Sequence, residues 1–165
     1  GLADLFEAMK MLTKEPVSLS ILGQPSLPME FYRKQFSNFI YYPPRSNYEV
    51  RKVMLQHDAL ILPSIVEGRA LVQQEALACG LPIIATANAG GEDLIDEGFT
   101  GHIIPIRNPL KLVEKIFCLM DAKIKKAERV DLCQAKANQY SWSSYAQKII
   151  DFNLCSLGEL IDAVP

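Results

Sequence analysis

Two carboxylates lie eight positions apart in residues 63–80, which read PSIVEGRALVQQEALACG. Glu67 follows the apolar run LIL at residues 60–62, at the point where a strand pattern changes to a helix pattern. Glu75 falls about two turns along that helix, so a rise of about 1.5 Å per residue predicts a separation of roughly 12 Å. Carboxylates accept hydrogen bonds from hydroxyl groups, and sugars are rich in hydroxyls.

The predicted helix spans residues 70–79, and Gly80 ends it as a glycine C-cap. Glu67 and Gly68 then fall in the turn before the helix or at its N-cap. The first turn of a helix has backbone N–H groups without partners, and the helix dipole favours an anion there. A carboxylate, an anion site and a second carboxylate suit a sugar–diphosphate–ribose ligand.

Composition narrows the class of protein. With 165 residues, 49% hydrophobic and 22% charged, the chain is predicted to form one soluble globular domain, residues 1–165. A net charge of −2 gives no electrostatic footprint for nucleic acid. No apolar run approaches the roughly 20 residues that span a bilayer. The cysteines lack CxxC pairs and nearby histidines, which predicts reduced thiols and no metal site: Cys79, Cys118, Cys133 and Cys155.

Short apolar runs alternate with amphipathic segments along most of the chain. The patterns predict strands at residues 17–23, 38–42, 58–63, 82–87 and 101–105. They predict helices at 2–12, 27–36, 48–56, 70–79 and 91–95, and further helices from Pro109 onward with breaks near 122–123 and 140–141. Alternating βα units indicate an α/β fold with a parallel, doubly wound sheet in three layers, α/β/α. Ligands of such sheets bind beyond the carboxyl ends of the strands.

Three segments are predicted at that carboxyl edge, residues 42–47, 64–70 and 88–92. In the last of these, Gly90 and Gly91 precede two acids, Glu92 and Asp93. Because two carboxylates repel a phosphate, the anion is assigned to the Gly68 turn. The glycine pair is instead predicted to approach another backbone segment closely and to shape the sugar end of the pocket.

The chain resembles the C-terminal, donor-binding domain of the retaining GT-B glycosyltransferases, known as glycosyl transferases group 1 or family 4. The resemblance begins with GLADLFEAMKML at the start and ILGQP, and continues through DALILPS, EGRALVQQEALACGLPIIAT, AGGEDLIDEGFTG and YSW. A single E-x7-E would be a weak indication, but the combination is specific to this family. The resemblance implies a Rossmann-like half of a GT-B fold.

The resemblance also implies roles for individual residues. Glu67 matches the catalytic-site carboxylate that contacts hydroxyls of the transferred sugar, and Glu75 matches the one that holds the ribose. Ser64, in the PS before the motif, is assigned to the same site. Tyr42 is placed to line a base pocket, with a plain turn as the alternative. The turn whose amides approach the diphosphate corresponds to Gly68, Arg69, Ala70 and Leu71.

Three departures from the family pattern affect the expected site. Ala70 stands where many members have Gly, so its methyl group is expected to crowd the ligand. Arg69 replaces a frequent aromatic and is assigned either to the diphosphate or to solvent. Gly1 corresponds to the Gly after the family's basic Arg and Lys. Those two residues, and the strand that should precede the first helix, are therefore expected to be missing from this sequence.

The resemblance implies transfer of a hexosyl group from a UDP-, GDP- or ADP-sugar to a saccharide or lipid-linked acceptor, with the anomeric configuration kept. It implies no metal and no other cofactor. The acceptor site would lie in the protein's own N-terminal domain, which is expected to be absent, so the fragment alone is expected to be inactive. A helix at 142–157 would cross to that domain. The expected setting is polysaccharide biosynthesis in the cytoplasm, with membrane contact through the absent domain.

Two alternatives remain open at this stage. One is a non-catalytic nucleotide-sugar-binding module or partner subunit, which the length of the open reading frame would distinguish. The other is a sugar-nucleotide epimerase of GT-B-like architecture, which needs other acid/base residues and is disfavoured by residues 67–80.

Elsewhere, Ser141 is predicted to cap a helix that begins with a packed Trp142. A solvated helix face is predicted for Lys123, Lys125, Lys126 and Arg129.

Overall fold

Five short strands alternate with α-helices in the computed structural model, which describes residues 1–121 and 124–162 and side chains as far as Asn153 in the last helix. The strands are β1 (Ser20–Leu22), β2 (Ile40–Tyr42), β3 (Leu60–Leu62), β4 (Ile83–Thr86) and β5 (Gly101–Ile104). The helices are α1 (Leu2–Met11), α2 (Met29–Gln35), α3 (Asn47–Met54), α4 (Val72–Ala78), α5 (Pro109–Met120), α6 (Lys126–Asn138) and α7 (Trp142–Asp162). The predicted break near 122–123 and the Cys155 side chain lie outside the described residues.

Local sequence explains several helix ends. Pro109 opens α5, and the Asn108 side chain accepts a hydrogen bond from the Lys111 amide at 2.9 Å. Gly80 follows α4 with a φ of +81°, which confirms the predicted glycine C-cap. The predicted start of this helix was two residues early, because the Ala70 amide donates to the carbonyl oxygen of Ala89 at 3.2 Å, outside the helix.

All strand pairs are parallel, but the strands form two sheets. β1 pairs with β2, and β3, β4 and β5 pair in that order. The parallel sense and the βα alternation of the predicted doubly wound fold are confirmed. The sheet is divided in two because, within the described residues, no pairing joins β1 to β3.

Helices cover both faces of the sheet. All four residues of β4 are buried, and they alternate between two cores. Ile84 packs in a core with side chains of α1 and α5, including Phe6 and Leu112. Ile83 packs in a second core that includes Leu77 of α4 and Cys133 of α6. This alternation confirms the predicted three-layer arrangement, since a strand has a side-chain period of two.

The last helix begins as predicted but packs differently. The Ser141 hydroxyl accepts a hydrogen bond from the Ser144 amide at 3.1 Å, which confirms the N-cap. The prediction of a packed Trp142 is wrong: the residue is 83% exposed and meets only the edge of Tyr145 among described ring contacts. Neighbouring apolar side chains of α7 are exposed as well. Among the described residues no helix combines the length and the apolar character that crossing a membrane requires.

Candidate functional site

The turn of residues 64–71 follows β3 at the carboxyl edge of the three-stranded sheet and presents Glu67 to solvent. The Ser64 hydroxyl donates a hydrogen bond to Glu67 Oε2 at 2.7 Å. This bond orients one carboxylate oxygen, while the exposed side chain leaves the group accessible. Ser64 and Glu67, both predicted from the sequence, are therefore brought together.

The loop after β4 holds this turn in place. The Thr86 hydroxyl donates to the Ser64 carbonyl oxygen, and the Asn88 amide donates to the carbonyl oxygen of Ile65 at 2.6 Å. The sequence analysis placed Asn88 in an edge segment without assigning it a role, and it did not identify Thr86. Both are polar residues at the end of a buried apolar strand on the edge where ligands bind, and that position was the available indication.

The glycine pair of the β4 loop lies against the same turn. Gly90 has a φ of +66°, and a Cβ there would lie 1.9 Å from the carbonyl oxygen of Gly68. A Cβ on Gly91 would lie 2.3 Å from Oε1 of Gln73, a fully buried side chain. The predicted close backbone approach is confirmed for Gly90, whereas the close neighbour of Gly91 is the Gln73 side chain. Their role at the sugar end of a pocket stays a prediction.

Arg69 is held in an ion pair that the sequence did not indicate. Its guanidinium donates two hydrogen bonds to the Asp93 carboxylate, each 3.0 Å long. The Tyr140 hydroxyl donates to the Asp93 carbonyl oxygen at 3.0 Å, and the Arg69 guanidinium lies 5.4 Å from the centre of the Tyr140 ring. We call these three residues the Arg69 clamp. Neither of the predicted alternatives for Arg69, diphosphate or solvent, included this pairing.

The clamp affects the protonation of Asp93. Partial burial raises the pKa of this carboxyl, but hydrogen bonds from Arg69 and Tyr140 and the Arg69 charge together hold the pKa below its ordinary value. Asp93 is therefore charged at neutral pH and balances the Arg69 charge. The pair lies at the surface, with the two side chains 41% and 46% exposed.

Three of the four backbone amides predicted to bind an anion have no acceptor within the described chain. Within the described chain, the N–H groups of Gly68, Arg69 and Leu71 donate to no other residue, whereas the Ala70 N–H is bonded to Ala89. The Ala70 side chain is buried, and Leu71 is 58% exposed. The turn thus offers fewer free amides than the four predicted positions.

Two predicted site residues, Glu75 and Tyr42, lie outside this turn. Glu75 is exposed on α4, and its carboxylate has no ion-pair partner in the part of the chain that the structure describes. Tyr42 ends β2 in the other sheet, where the Arg45 guanidinium lies 5.7 Å from its ring centre. The structure therefore does not place Tyr42 among the residues around Glu67.

A separate electrostatic cluster lies beside β5. Glu97 accepts hydrogen bonds from Lys115 Nζ at 2.9 Å and from the Ile103 amide at 3.2 Å, and it lies 2.8 Å from Nδ1 of the buried His102. Partial burial opposes ionisation of Glu97, but these bonds, that of His102 first, lower its pKa to about 2.

Among the described residues, no group of three or more His, Cys, Asp or Glu side chains is arranged to hold a metal ion.

Comparison with known proteins identifies the family to which this chain belongs. The family model described as "Glycosyl transferases group 1" matches residues 1–136. One relative is the D-inositol 3-phosphate glycosyltransferase of Corynebacterium urealyticum, 25% identical over 108 residues, which are 66% of this chain and 26% of the relative. The chain spans between about a quarter and a third of the curated relatives that head the comparison.

Solved structures share the fold. WaaG, a glycosyltransferase involved in lipopolysaccharide biosynthesis, aligns over 92% of this chain and 43% of its own, with a TM-score of 0.71 and 23% identity. Anabaena Alr3699/HepE, in complex with UDP-glucose, aligns over 94% of this chain and 45% of its own, with a TM-score of 0.78 and 20% identity. At these identities the likeness concerns the fold.

Proposed function

Because this chain belongs to the glycosyl transferases group 1, we propose that it is the donor-binding half of a retaining hexosyltransferase. The donor is a UDP-, GDP- or ADP-sugar, and the acceptor is a saccharide or a lipid-linked saccharide. The bond between the anomeric carbon and the diphosphate oxygen breaks, and the diphosphate leaves with the electron pair. A new bond forms to the acceptor hydroxyl oxygen, which loses its proton.

The observation that carries this proposal is the turn of residues 64–71. It presents an exposed carboxylate, Glu67, beside backbone amides of Gly68, Arg69 and Leu71 that donate to no other described residue. In the proposal Glu67 binds hydroxyls of the transferred sugar, and the amides stabilise the charge that develops on the leaving diphosphate. The Arg69 charge contributes little there because Asp93 already balances it.

The other assignments extend from this turn. Glu75 is proposed to bind the ribose hydroxyls, which fits an exposed carboxylate on α4 without an ion-pair partner in the described chain. Gly90 and Gly91 are proposed to limit the sugar end of the site, and Tyr42 to contact the base. The complex of Anabaena Alr3699/HepE with UDP-glucose makes a UDP-sugar the first donor to test.

The proposal includes a wider setting for the protein. The acceptor is bound by a further domain across a cleft, and helix 142–157 reaches toward that domain. The proposed role is polysaccharide biosynthesis, for which WaaG, a glycosyltransferase involved in lipopolysaccharide biosynthesis, is a precedent. The proposed setting is the cytoplasm, at the inner face of the membrane. No metal or prosthetic group is assigned a role in the proposal.

Calorimetric titration tests the two carboxylates separately. We expect UDP, GDP or ADP to bind the chain. Glu75→Gln should lower the affinity for that nucleotide by at least about tenfold, because a hydrogen bond to a charged group contributes about 1.5–3 kcal/mol. Glu67→Gln is expected to lower the affinity for the nucleotide sugar by a similar factor and to leave the affinity for the free nucleotide unchanged.

Glu128→Gln is the matched control, because it removes an exposed carboxylate from α6, away from the turn. It should change neither affinity. Unchanged nucleotide binding in Glu75→Gln would contradict the ribose assignment. An equal loss of nucleotide and nucleotide sugar in Glu67→Gln would contradict the assignment of that carboxylate to the sugar.

A further inference from the structure

The turn of residues 64–71 is anchored by hydrogen bonds at its two ends and not in its middle. Side chains at the end of β4 and in the loop after it donate to two carbonyl oxygens at one end. At the other end, the Ala70 amide donates to the same loop at 3.2 Å. Within the described chain, no backbone N–H or C=O group of residues 66–69 forms a hydrogen bond. The conformation of this stretch therefore depends on packing and on side-chain contacts.

Two side chains of the stretch form hydrogen bonds. Glu67 accepts one from the hydroxyl of Ser64 at 2.7 Å, but Ser64 belongs to the same turn. Arg69 instead reaches Asp93, 24 positions along the chain, through two hydrogen bonds of 3.0 Å. Among the described residues, this pair is the only hydrogen-bonded link between residues 66–69 and a segment outside the turn.

The partner of Arg69 is firmly placed. The carbonyl oxygen of Asp93 accepts a hydrogen bond from the Tyr140 hydroxyl at 3.0 Å, and the next residue, Leu94, is fully buried. The planar guanidinium binds both carboxylate oxygens at once, which fixes its direction as well as its distance. The Arg69 clamp thus connects an otherwise unanchored backbone stretch to the core of the fold.

The charge of the clamp argues against a direct contact between this guanidinium and a phosphate. Each Nη atom of Arg69 donates to one oxygen of Asp93, and the carboxylate balances the positive charge. A balanced pair attracts a diphosphate much less than a free cation does. What residues 66–69 do offer an anion is two backbone amides, those of Gly68 and Arg69, which have no acceptor in the described chain.

We propose that Arg69 is a positioning residue, whose side chain fixes the backbone of residues 66–69 so that the amides of this stretch meet the diphosphate of the donor. The inference rests on the proposed function and adds the group that orders the diphosphate site. The side chain acts through Asp93 and does not itself touch the donor. Donor binding then gains because the amides are held in place before the ligand arrives.

Titration of the whole chain with UDP and with UMP tests this role, because the two nucleotides differ only in the second phosphate. Arg69→Gln and Asp93→Ala each remove the clamp. Each should lower the affinity for UDP by roughly three- to fivefold, since a partly exposed pair can shift the conformation of the turn only by its own small free energy. The affinity for UMP should change less, so the ratio of the two affinities should fall.

The Asp93→Ala variant separates positioning from a direct effect of charge. If Arg69 bound the diphosphate through its charge, removal of Asp93 would leave that charge unbalanced and raise the affinity for UDP. Arg69→Lys keeps the charge but cannot form the fork, and it should also lose affinity for UDP. Lys111→Gln is the control, because it breaks an α5 ion pair of matched exposure, and it should change neither affinity.

NMR relaxation of the backbone amides measures the proposed ordering without a ligand. We expect amide order parameters of about 0.85 at residues 68 and 69 in the unmodified chain, and values of about 0.6 or below in Arg69→Gln and Asp93→Ala. The amides of Ile83–Thr86 lie in a buried strand and should keep their order parameters, which shows that each variant is folded.

Three results would each overturn the proposal: unchanged order parameters at residues 68 and 69 in both clamp variants, a higher affinity for UDP in Asp93→Ala, or equal losses of UDP and UMP affinity. If the chain prefers GDP or ADP, that nucleotide and its monophosphate replace UDP and UMP. Failure of all three diphosphates to bind the unmodified chain would contradict the proposed function itself, and the diphosphate role of the clamp with it.

Discussion

The two sheets are built from similar short parallel strands, yet they differ in how completely those strands are buried. All four residues of β4 are buried, whereas β2 begins with Ile40, which is 54% exposed, and β1 ends with Leu22, which is 36% exposed. β4 has a paired strand on each side and helices on both faces, while β1 has one paired neighbour. Burial therefore follows from neighbours on all four sides rather than from the apolar character of the strand.

This difference bears on the position of the candidate site. The turn around Glu67 belongs to the better buried sheet, and Thr86, the last residue of β4, donates a hydrogen bond to it. Tyr42, the predicted base contact, belongs to the less buried sheet. The part of the site that we propose to bind sugar and diphosphate is thus fixed by packing. The part that we assign to the base depends on a sheet with an open edge.

The largest expected effect comes from the same substitution made in both sheets. Ile83→Ala removes a fully buried side chain and should lower the free energy of unfolding by about 3 kcal/mol, through lost burial and the cavity left behind. Ile40→Ala, the matched control on β2, should cost less than about 1 kcal/mol because the side chain is half exposed. Urea denaturation measures both. Equal losses would show that the two sheets are equally buried in solution.

Arg129→Met addresses a cavity of about 910 Å³ between the two sheets and should raise stability. A buried guanidinium with two nitrogens unbonded in the described structure carries a desolvation cost, and an apolar side chain of similar length removes it, which predicts a gain of about 1–3 kcal/mol. Lys126→Met, in the same helix but with a side chain 78% exposed, is the control and should change stability by less than about 0.5 kcal/mol. A loss of stability in Arg129→Met would mean that acceptors satisfy the guanidinium in solution.

Features set by neighbours in the sequence were predicted well. The alternation of strands and helices, the cap at Gly80 and the cap at Ser141 depend on residue type and spacing over a few positions. The close backbone approach of Gly90 was predicted once the two acids after the glycine pair had excluded a phosphate at that loop. The family pattern located the turn at Glu67.

Features set by distant neighbours were not predicted. The Arg69–Asp93 pair joins residues 24 positions apart, and Tyr140 is farther still along the chain. Arg129, predicted to lie on a solvated face, is buried because α6 packs over α4 and the adjacent cavity. Trp142 is exposed although its residue type favours burial. In each case the deciding contact depends on which elements meet in space, and residue spacing carries no information about that.

The dependence of stability on pH tests the Glu97 cluster beside β5, at the edge of the larger sheet. The pKa of Glu97 is lowered from 4.5 to about 2, so its contribution is fully present above pH 4.5 and is lost as the pH falls toward 2. Because the side chain is 55% exposed, we expect Glu97→Gln to cost only about 1 kcal/mol at neutral pH. The difference in the free energy of unfolding between wild type and variant should vanish as the pH approaches about 2.

Glu128→Gln is again the control, since that carboxylate has no hydrogen-bond partner in the described chain. Its difference from wild type should stay close to zero over the whole pH range. A Glu97→Gln difference that persists unchanged to the acid limit would contradict the ion-pair account of this cluster.

The smallest effect concerns the Arg69 clamp, which joins the Glu67 turn to the β4 loop within the better buried sheet. A double-mutant cycle of Arg69→Gln and Asp93→Asn should give a coupling of about 0.5–1 kcal/mol, because the pair is bidentate but partly exposed. The Lys111–Glu114 pair of α5, 40% and 51% exposed, is matched in exposure and should couple by about 0.3–0.5 kcal/mol. The Asp93 pKa lies below its ordinary value, so the clamp contributes above that value and loses its contribution as the pH falls below it. If the two couplings are equal, the clamp is an ordinary surface pair, and the Glu67 turn is held by Thr86, Asn88 and the glycine contacts alone.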